Sequence, residues 1–279
     1  MPHELDMVPR VSAPIERISQ LTGLALIGLT LALLLDLPAQ RLEFSIFGSE
    51  ANITVSGIWL LAGVLAAMTA AGMDSIARLY PRVSLDATRS ISIVWILPAL
   101  IVITATILLS LSPVRVFGLI SLGLAGAVLF GVLLAEFFSI DPEDRRYRAA
   151  RLGLNLAVYL IALVLFAAIY GLKLRSLFSS TFIGIAAALL ALELLRGAAQ
   201  DFQRTWRYAA VVGLSLGELV WAFNYWNLDA FSGGALLLIF FYVIIGIVQQ
   251  YFWNRLTPVI LVEYGLIVLA ALGFVFFLK

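Results

Sequence analysis

Cysteine is absent from this chain, and histidine occurs once, at His3. Without thiols there is no disulfide, no thiolate nucleophile, no iron–sulfur cluster and no cysteine-ligated zinc or haem. One imidazole beside the N-terminus leaves none inside the apolar body for haem or copper. Any acid–base chemistry would fall to carboxylates, tyrosines, lysine or water. Charge is scarce as well: 13% of the 279 residues, where soluble domains carry about 25%. A net charge of +1 builds no basic face or tail for nucleic acid. Lysine occurs only at Lys173 and Lys279, so 16 of the 18 cationic residues are arginine.

Hydrophobic residues make up 62% of the chain. They gather into nine runs: 18–37, 56–76, 92–111, 116–138, 150–172, 177–196, 207–225, 233–254 and 257–278. A helix needs about 20 apolar residues to cross roughly 30 Å of hydrocarbon, and each run meets that length. In lipid every backbone amide must be bonded within its own element, so the runs are read as helices. A barrel would show period-2 alternation, which these runs lack. Pro38, Pro81 and Pro258 punctuate the ends of runs, and Pro98 inside the third predicts a kink. The first run is too long for a signal-peptide core and has no small-residue cleavage site after it, so it is read as a retained span. The expected fold is an all-α integral membrane protein: one polytopic domain over 1–279, with a polar cytoplasmic N-terminus at 1–17 and a nine-helix bundle at 18–278.

The links between runs set the orientation. With the N-terminus inside, 13 cationic residues fall on cytoplasmic links and 5 on outer ones. That bias predicts an N-in, C-out protein of the inner or plasma membrane. The outer link at 42–56 alternates apolar and polar residues around Gly48-Ser49-Glu50, which predicts a short β-hairpin lying across the outer end of the bundle. Within it, Asn52-Ile53-Thr54 forms a glycosylation sequon.

Four glutamates interrupt the runs: Glu136, Glu193, Glu218 and Glu263. Charge inside a bilayer is costly enough to mark candidate sites. Glu136 and Glu193 lie within about a turn of a cytoplasmic helix end and read as interfacial, with Arg196 at i+3 to pair Glu193. Glu263 lies about 9 Å in, six residues after Thr257. Glu218 lies eleven residues after Arg207, roughly 16 Å in and near the midplane. Trp221 and Tyr225 share its helix face, with Asn224 beside them. This set is either a ligand or ion pocket or the membrane's aromatic belt. On the eighth run Tyr242, Gly246, Gln249 and Trp253 share a face, and Asn155 with Tyr159 forms an i,i+4 pair on the fifth. These polar groups, Tyr242 and Gln249 among them, either bridge helices or, with Glu263, outline an inner-leaflet cavity.

Two further patterns have a structural reading. Gly213-Leu214-Ser215-Leu216-Gly217 matches G-x-S-x-G, but that nucleophile elbow needs a strand-to-helix turn and a histidine partner. Gly213 and Gly217 instead predict close helix packing, as do Gly123, Ala127 and Gly131. Asp141-Pro142-Glu143-Asp144 is the one acidic link, read as a helix start with Asp141 as N-cap and acids in the first turn. The topology is similar to the intramembrane prenyltransferases, but their second Asp-rich motif is missing. No metal and no cofactor is expected, and an enzyme is the less favoured class.

The segments FGSEANITVSG, AAGMDSIARLYP, AEFFSIDPEDRRYRAARLGLN and GELVWAFNYW, in this order, resemble a family of bacterial multi-spanning membrane proteins catalogued as a domain of unknown function. The resemblance covers nearly the whole chain. It brings no assigned activity and no site residues. The expectation is a non-catalytic membrane subunit or scaffold that holds a lipid or apolar ligand, with the bilayer and other membrane subunits or further copies of itself as partners. Two alternatives stay open: a proton- or cation-coupled transporter using Glu218 with Glu263, and a lipid-modifying enzyme around Glu136 and Asp141.

Overall fold

The computed structural model describes residues 12–35, 39–46, 49–78, 93–111, 115–173, 176–197, 202–226 and 228–277. They form α1 (Ser12–Leu34), β1 (Ala39–Ile46), β2 (Ser49–Ser56), α2 (Gly57–Ala77), α3 (Ile96–Leu111), α4 (Arg115–Phe138), α5 (Tyr147–Gly171), α6 (Ser176–Leu195), α7 (Phe202–Asn224), α8 (Ala230–Phe252) and α9 (Pro258–Phe277). Six helices contain segments long and apolar enough to cross a membrane: Pro14–Leu34, Gly57–Ala77, Phe117–Phe138, Tyr147–Gly171, Ser176–Leu195 and Ala230–Phe252. Ile96–Leu111 and Pro258–Gly273 are apolar but shorter. The helix outside both groups is α7, whose composition Arg204, Arg207, Glu218 and Asn224 dilute with polar groups.

Three local expectations need correction. Pro98 does not kink a span. The helix starts at Ile96 after a turn at 93–95, so Pro98 falls in the first turn, where backbone N–H groups have no intrahelical acceptor to lose. Asp141 does not cap a helix directly: α5 begins at Tyr147. Asp141 Oδ1 accepts from the Glu143 N–H at 2.9 Å and Asp144 Oδ1 from the Arg146 N–H at 2.8 Å. Two successive Asx turns thus hold the acids in the link and leave none in the first helical turn. The seventh run begins earlier than its apolar residues, because Arg204 and Arg207 lie inside α7 rather than in a loop.

β1 and β2 pair antiparallel from Ala39↔Ser56 to Ile46↔Ser49. That register puts Ser49 and Glu50 in the second strand and leaves residues 47 and 48, outside the described set, between the strands. His3 and residues 79–92 also lie outside it.

The chain divides into two compact units, Met1–Arg151 and Leu152–Lys279. In the first, α1 packs against α2, α3 and α4. Its leucines fill glycine notches: Leu21 lies over Gly72 of α2, and Leu26 and Leu33 over Gly126 and Gly118 of α4. Ile18, Leu29, Met73, Leu97 and Leu133 form its core.

In the second unit, α6 and α7 approach backbone to backbone. A Cβ on Gly213 would meet the Gly184 carbonyl oxygen at 2.5 Å, and one on Gly217 the Ser180 carbonyl at 3.2 Å. α8 comes equally close to α5, with Gly234 against the Ala167 backbone and Gly233 against the Tyr170 ring. Phe241 of α8 packs edge-on against Phe166 and Tyr159 of α5, at ring-centre distances of 5.8 and 6.2 Å. α9 rests on α8, where Tyr264 covers Gly246.

The α7–α8 junction is tied to the end of α5. The buried Tyr170 hydroxyl donates to the Phe223 carbonyl at 2.8 Å, and Lys173 Nζ donates to the Leu228 carbonyl at 2.7 Å. The Lys173 ammonium also lies 4.4 Å from the centre of the Tyr170 ring. Phe223 is in the last turn of α7, and its carbonyl also accepts from the Trp226 N–H at 3.0 Å. Tyr170→Phe keeps the packing and removes the hydroxyl, so it should lower stability by about 1 kcal/mol, read as a shift in the unfolding midpoint of detergent-solubilised protein.

Asp229 caps α8, accepting from the Phe231 and Ser232 N–H groups at 3.0 and 3.1 Å. Bonds from the Ser232 hydroxyl first, then from the backbone N–H groups, hold its carboxyl below the usual aspartate range. A carboxyl whose pKa is lower in the folded state stabilises above its ordinary value and loses that contribution as pH falls through the folded one. Asp229→Ala should cost about 1 kcal/mol at neutral pH. The difference from the parent chain should shrink when unfolding is measured in acid, to what a neutral carboxyl cap still contributes.

Candidate functional site: the exposed face of α7

A helix repeats its faces at steps of three and four, so α7 can be read as two stripes. Ala209, Val212, Gly213, Leu216, Gly217, Val220 and Phe223 are buried, and the glycines among them seat the helix on α6. Arg207, Val211, Leu214, Glu218, Trp221 and Tyr225 make up the opposite, exposed stripe. Trp221 is 46% exposed and Tyr225 is 85% exposed. Asn224 is exposed as well. Glu218, Trp221, Asn224 and Tyr225, read as pocket or aromatic belt, thus lie together on an exposed face of α7. Of the aromatic cluster, only Trp226 turns back to the helix, stacking on Phe223 at 5.5 Å between ring centres. Glu218 has no hydrogen-bond or ion-pair partner among the described residues.

The second set lies on α5, α8 and α9. Tyr242 packs between Tyr159 of α5 and Tyr264 of α9, at ring-centre distances of 5.9 and 6.2 Å. Its face, with Gly246 beneath Tyr264, is the seat of α9. Gln249 is half-buried on the same helix, and Glu263 is exposed on α9.

The carboxylates that the fold encloses are Glu136 and Glu193, at 0% and 1% exposure, the two buried acids among the described residues. The interfacial reading of both concerns depth along the helix and is separate from their enclosure by neighbouring helices. Glu193 Oε1 lies 2.9 Å from Arg196 Nη2, and the Arg196 side chain is itself only 7% exposed. Glu136 belongs to the first unit and Glu193 to the second. Nothing in their sequence spacing marked them as more buried than Glu218.

The small residues divide too. Gly213 and Gly217 line the α6 contact. Gly123, Ala127 and Gly131 are exposed, and a Cβ on Gly123 or Gly131 would meet nothing within 4 Å. The notches that α4 does use are Gly118 and Gly126, on another face. Among the described residues no group of three or more His, Cys, Asp or Glu side chains is placed to hold a metal ion.

The fold defines a helical protein with several helices capable of crossing a membrane. The chain belongs to the family described as Protein of unknown function (DUF5656), whose profile matches residues 37–278. No curated protein and no solved structure matches it.

Proposed function

We propose that the chain is a polytopic protein of the inner or plasma membrane that serves as a non-catalytic subunit, holding another membrane component against α7. Six apolar helices support insertion. The distribution of arginines over the links supports nine spans with the N-terminus inside and the C-terminus outside. In that topology β1–β2 lies on the outer side.

The observation that carries the subunit reading is the exposure of Glu218 on α7, a helix less apolar than the others but packed backbone to backbone on the span-capable α6, and so read here as a span. A span buries its carboxylates inside the bundle, in a wet cavity or against a partner. Here the carboxylate and its aromatic neighbours face away from the helices that α7 packs against in the second unit. A transporter built on Glu218 and Glu263 would need both enclosed around a water-filled path, and both are exposed.

The test is the intact mass of the particle, extracted gently from its native membrane and weighed by native mass spectrometry. A stoichiometric second polypeptide is expected. A lone chain would overturn the subunit reading.

A further inference from the structure

We infer that the exposed stripe of α7 is the seat of a partner transmembrane helix carrying a lysine or arginine at mid-membrane depth and a carboxylate nearer the cytoplasmic end. The inference rests on the subunit reading and specifies the chemistry of its partner.

The stripe is charged at two levels and apolar between them. In the N-in topology proposed above, Arg207 marks the cytoplasmic level, joined by the exposed Arg204 one turn earlier. Val211 and Leu214 follow, with 52% and 70% of their surface exposed. Glu218 comes eleven residues after Arg207, roughly 16 Å along the axis. Trp221 and Tyr225 flank it toward the outer end.

Three occupants can be weighed against this pattern. Acyl chains satisfy Val211 and Leu214 but leave a carboxylate facing hydrocarbon, the costly arrangement. A second copy related by a two-fold axis along the membrane normal brings each residue to its own equivalent. Glu218 would then face Glu218, and Arg207 would face Arg207, so both levels would repel. A partner helix with charges of opposite sign, in the same order and at the same spacing, satisfies both levels at once. The apolar residues between them supply the packing, and Trp221 supplies an aromatic anchor of the kind enriched in interface cores.

The test places a photo-reactive amino acid at Leu214, or at Trp221, in the full-length chain within its native membrane. Leu124 on α4, also exposed, serves as the control position. The expected product is an adduct to a membrane-helix peptide of another protein, formed at 214 and 221 and absent at 124. That peptide should hold a lysine or arginine within a turn of the Glu218 level. Glu218→Lys should then cut the adduct yield by about tenfold or more, Glu218→Gln by less, and exchanging the partner's cation for glutamate should restore the yield of the Lys variant. The adduct itself forms on a chain that keeps Glu218, so a poorly folding variant leaves the proposal testable.

Adducts with lipid alone, with a second copy of this chain, with residues 1–151 of the same chain, or with a peptide lacking a cation would each overturn it. The two levels of the reading fail differently. A second polypeptide in the intact particle, with only lipid adducts on α7, refutes this seat and keeps the subunit reading. A lone chain refutes both.

Discussion

Arg196→Met should be among the most damaging single substitutions in the second unit. The side chains of Arg196 and Glu193 are 7% and 1% exposed, and their charged atoms lie 2.9 Å apart across one helical turn. Methionine fills much of the volume of arginine but leaves the carboxylate enclosed without its cation. Removing one member of a buried pair costs about 3–5 kcal/mol, because the desolvation of the remaining charge is no longer offset. The double substitution Glu193→Leu with Arg196→Met should recover much of that loss, since neither charge is then buried. Chemical or thermal unfolding of the four proteins in the same detergent closes the double-mutant cycle. A double variant as unstable as Arg196→Met alone would mean that packing, not charge, sets the cost. An unchanged single variant would mean that the pair is solvated in the membrane protein.

Gly213→Leu should separate α6 from α7. The Cβ alone would lie 2.5 Å from the Gly184 carbonyl oxygen and 2.8 Å from the Ala188 methyl. The first of these is backbone, which cannot rotate aside as a flexible side chain would. Overpacking of this kind costs typically about 1–3 kcal/mol and more where backbone has to move. Gly123→Ala is the matched control on α4. Its Cβ meets nothing within 4 Å, so helix propensity should favour the alanine by up to about 1 kcal/mol. Melting of the two variants by circular dichroism in micelles should therefore move in opposite directions. If Gly213→Leu melts with the parent chain, the close approach of α6 and α7 is wrong.

These expectations show what kind of information was legible along the chain. The helical segments were, because crossing length and apolar composition are local properties. All nine predicted runs overlap a described helix. The pair Glu193–Arg196 was legible for the same reason, since i and i+3 are neighbours on any helix. So was the use of Gly213 and Gly217, although not the identity of Gly184 and Ser180 as what they face.

Other features depended on which way a helix turns. Depth along an axis follows from counting residues at 1.5 Å each, and the counting made Glu218 the deepest acid and Glu136 and Glu193 the shallowest. Whether a side chain at that depth points inward depends on its neighbours. The neighbours of α4 and α6 enclose Glu136 and Glu193, while those of α7 leave Glu218 outside. The same ambiguity put the packing stripe of α4 on Gly123, Ala127 and Gly131, when α1 fills the notches at Gly118 and Gly126. No sequence pattern marks Tyr170 and Lys173, because their partners are carbonyls 53 and 55 residues away, and a backbone acceptor leaves no mark in the amino-acid order.

By itself, then, the amino-acid order determined the helices, the scarcity of chemistry in the chain, and the distribution of arginine over its links. Each of these follows from short-range covalent and solvation physics. Tertiary structure alone decided which carboxylates are enclosed and which face outward, because burial is settled by contacts between segments far apart in sequence. The same contacts leave Glu218, Trp221 and Tyr225 exposed on α7, an orientation that the amino-acid order left open.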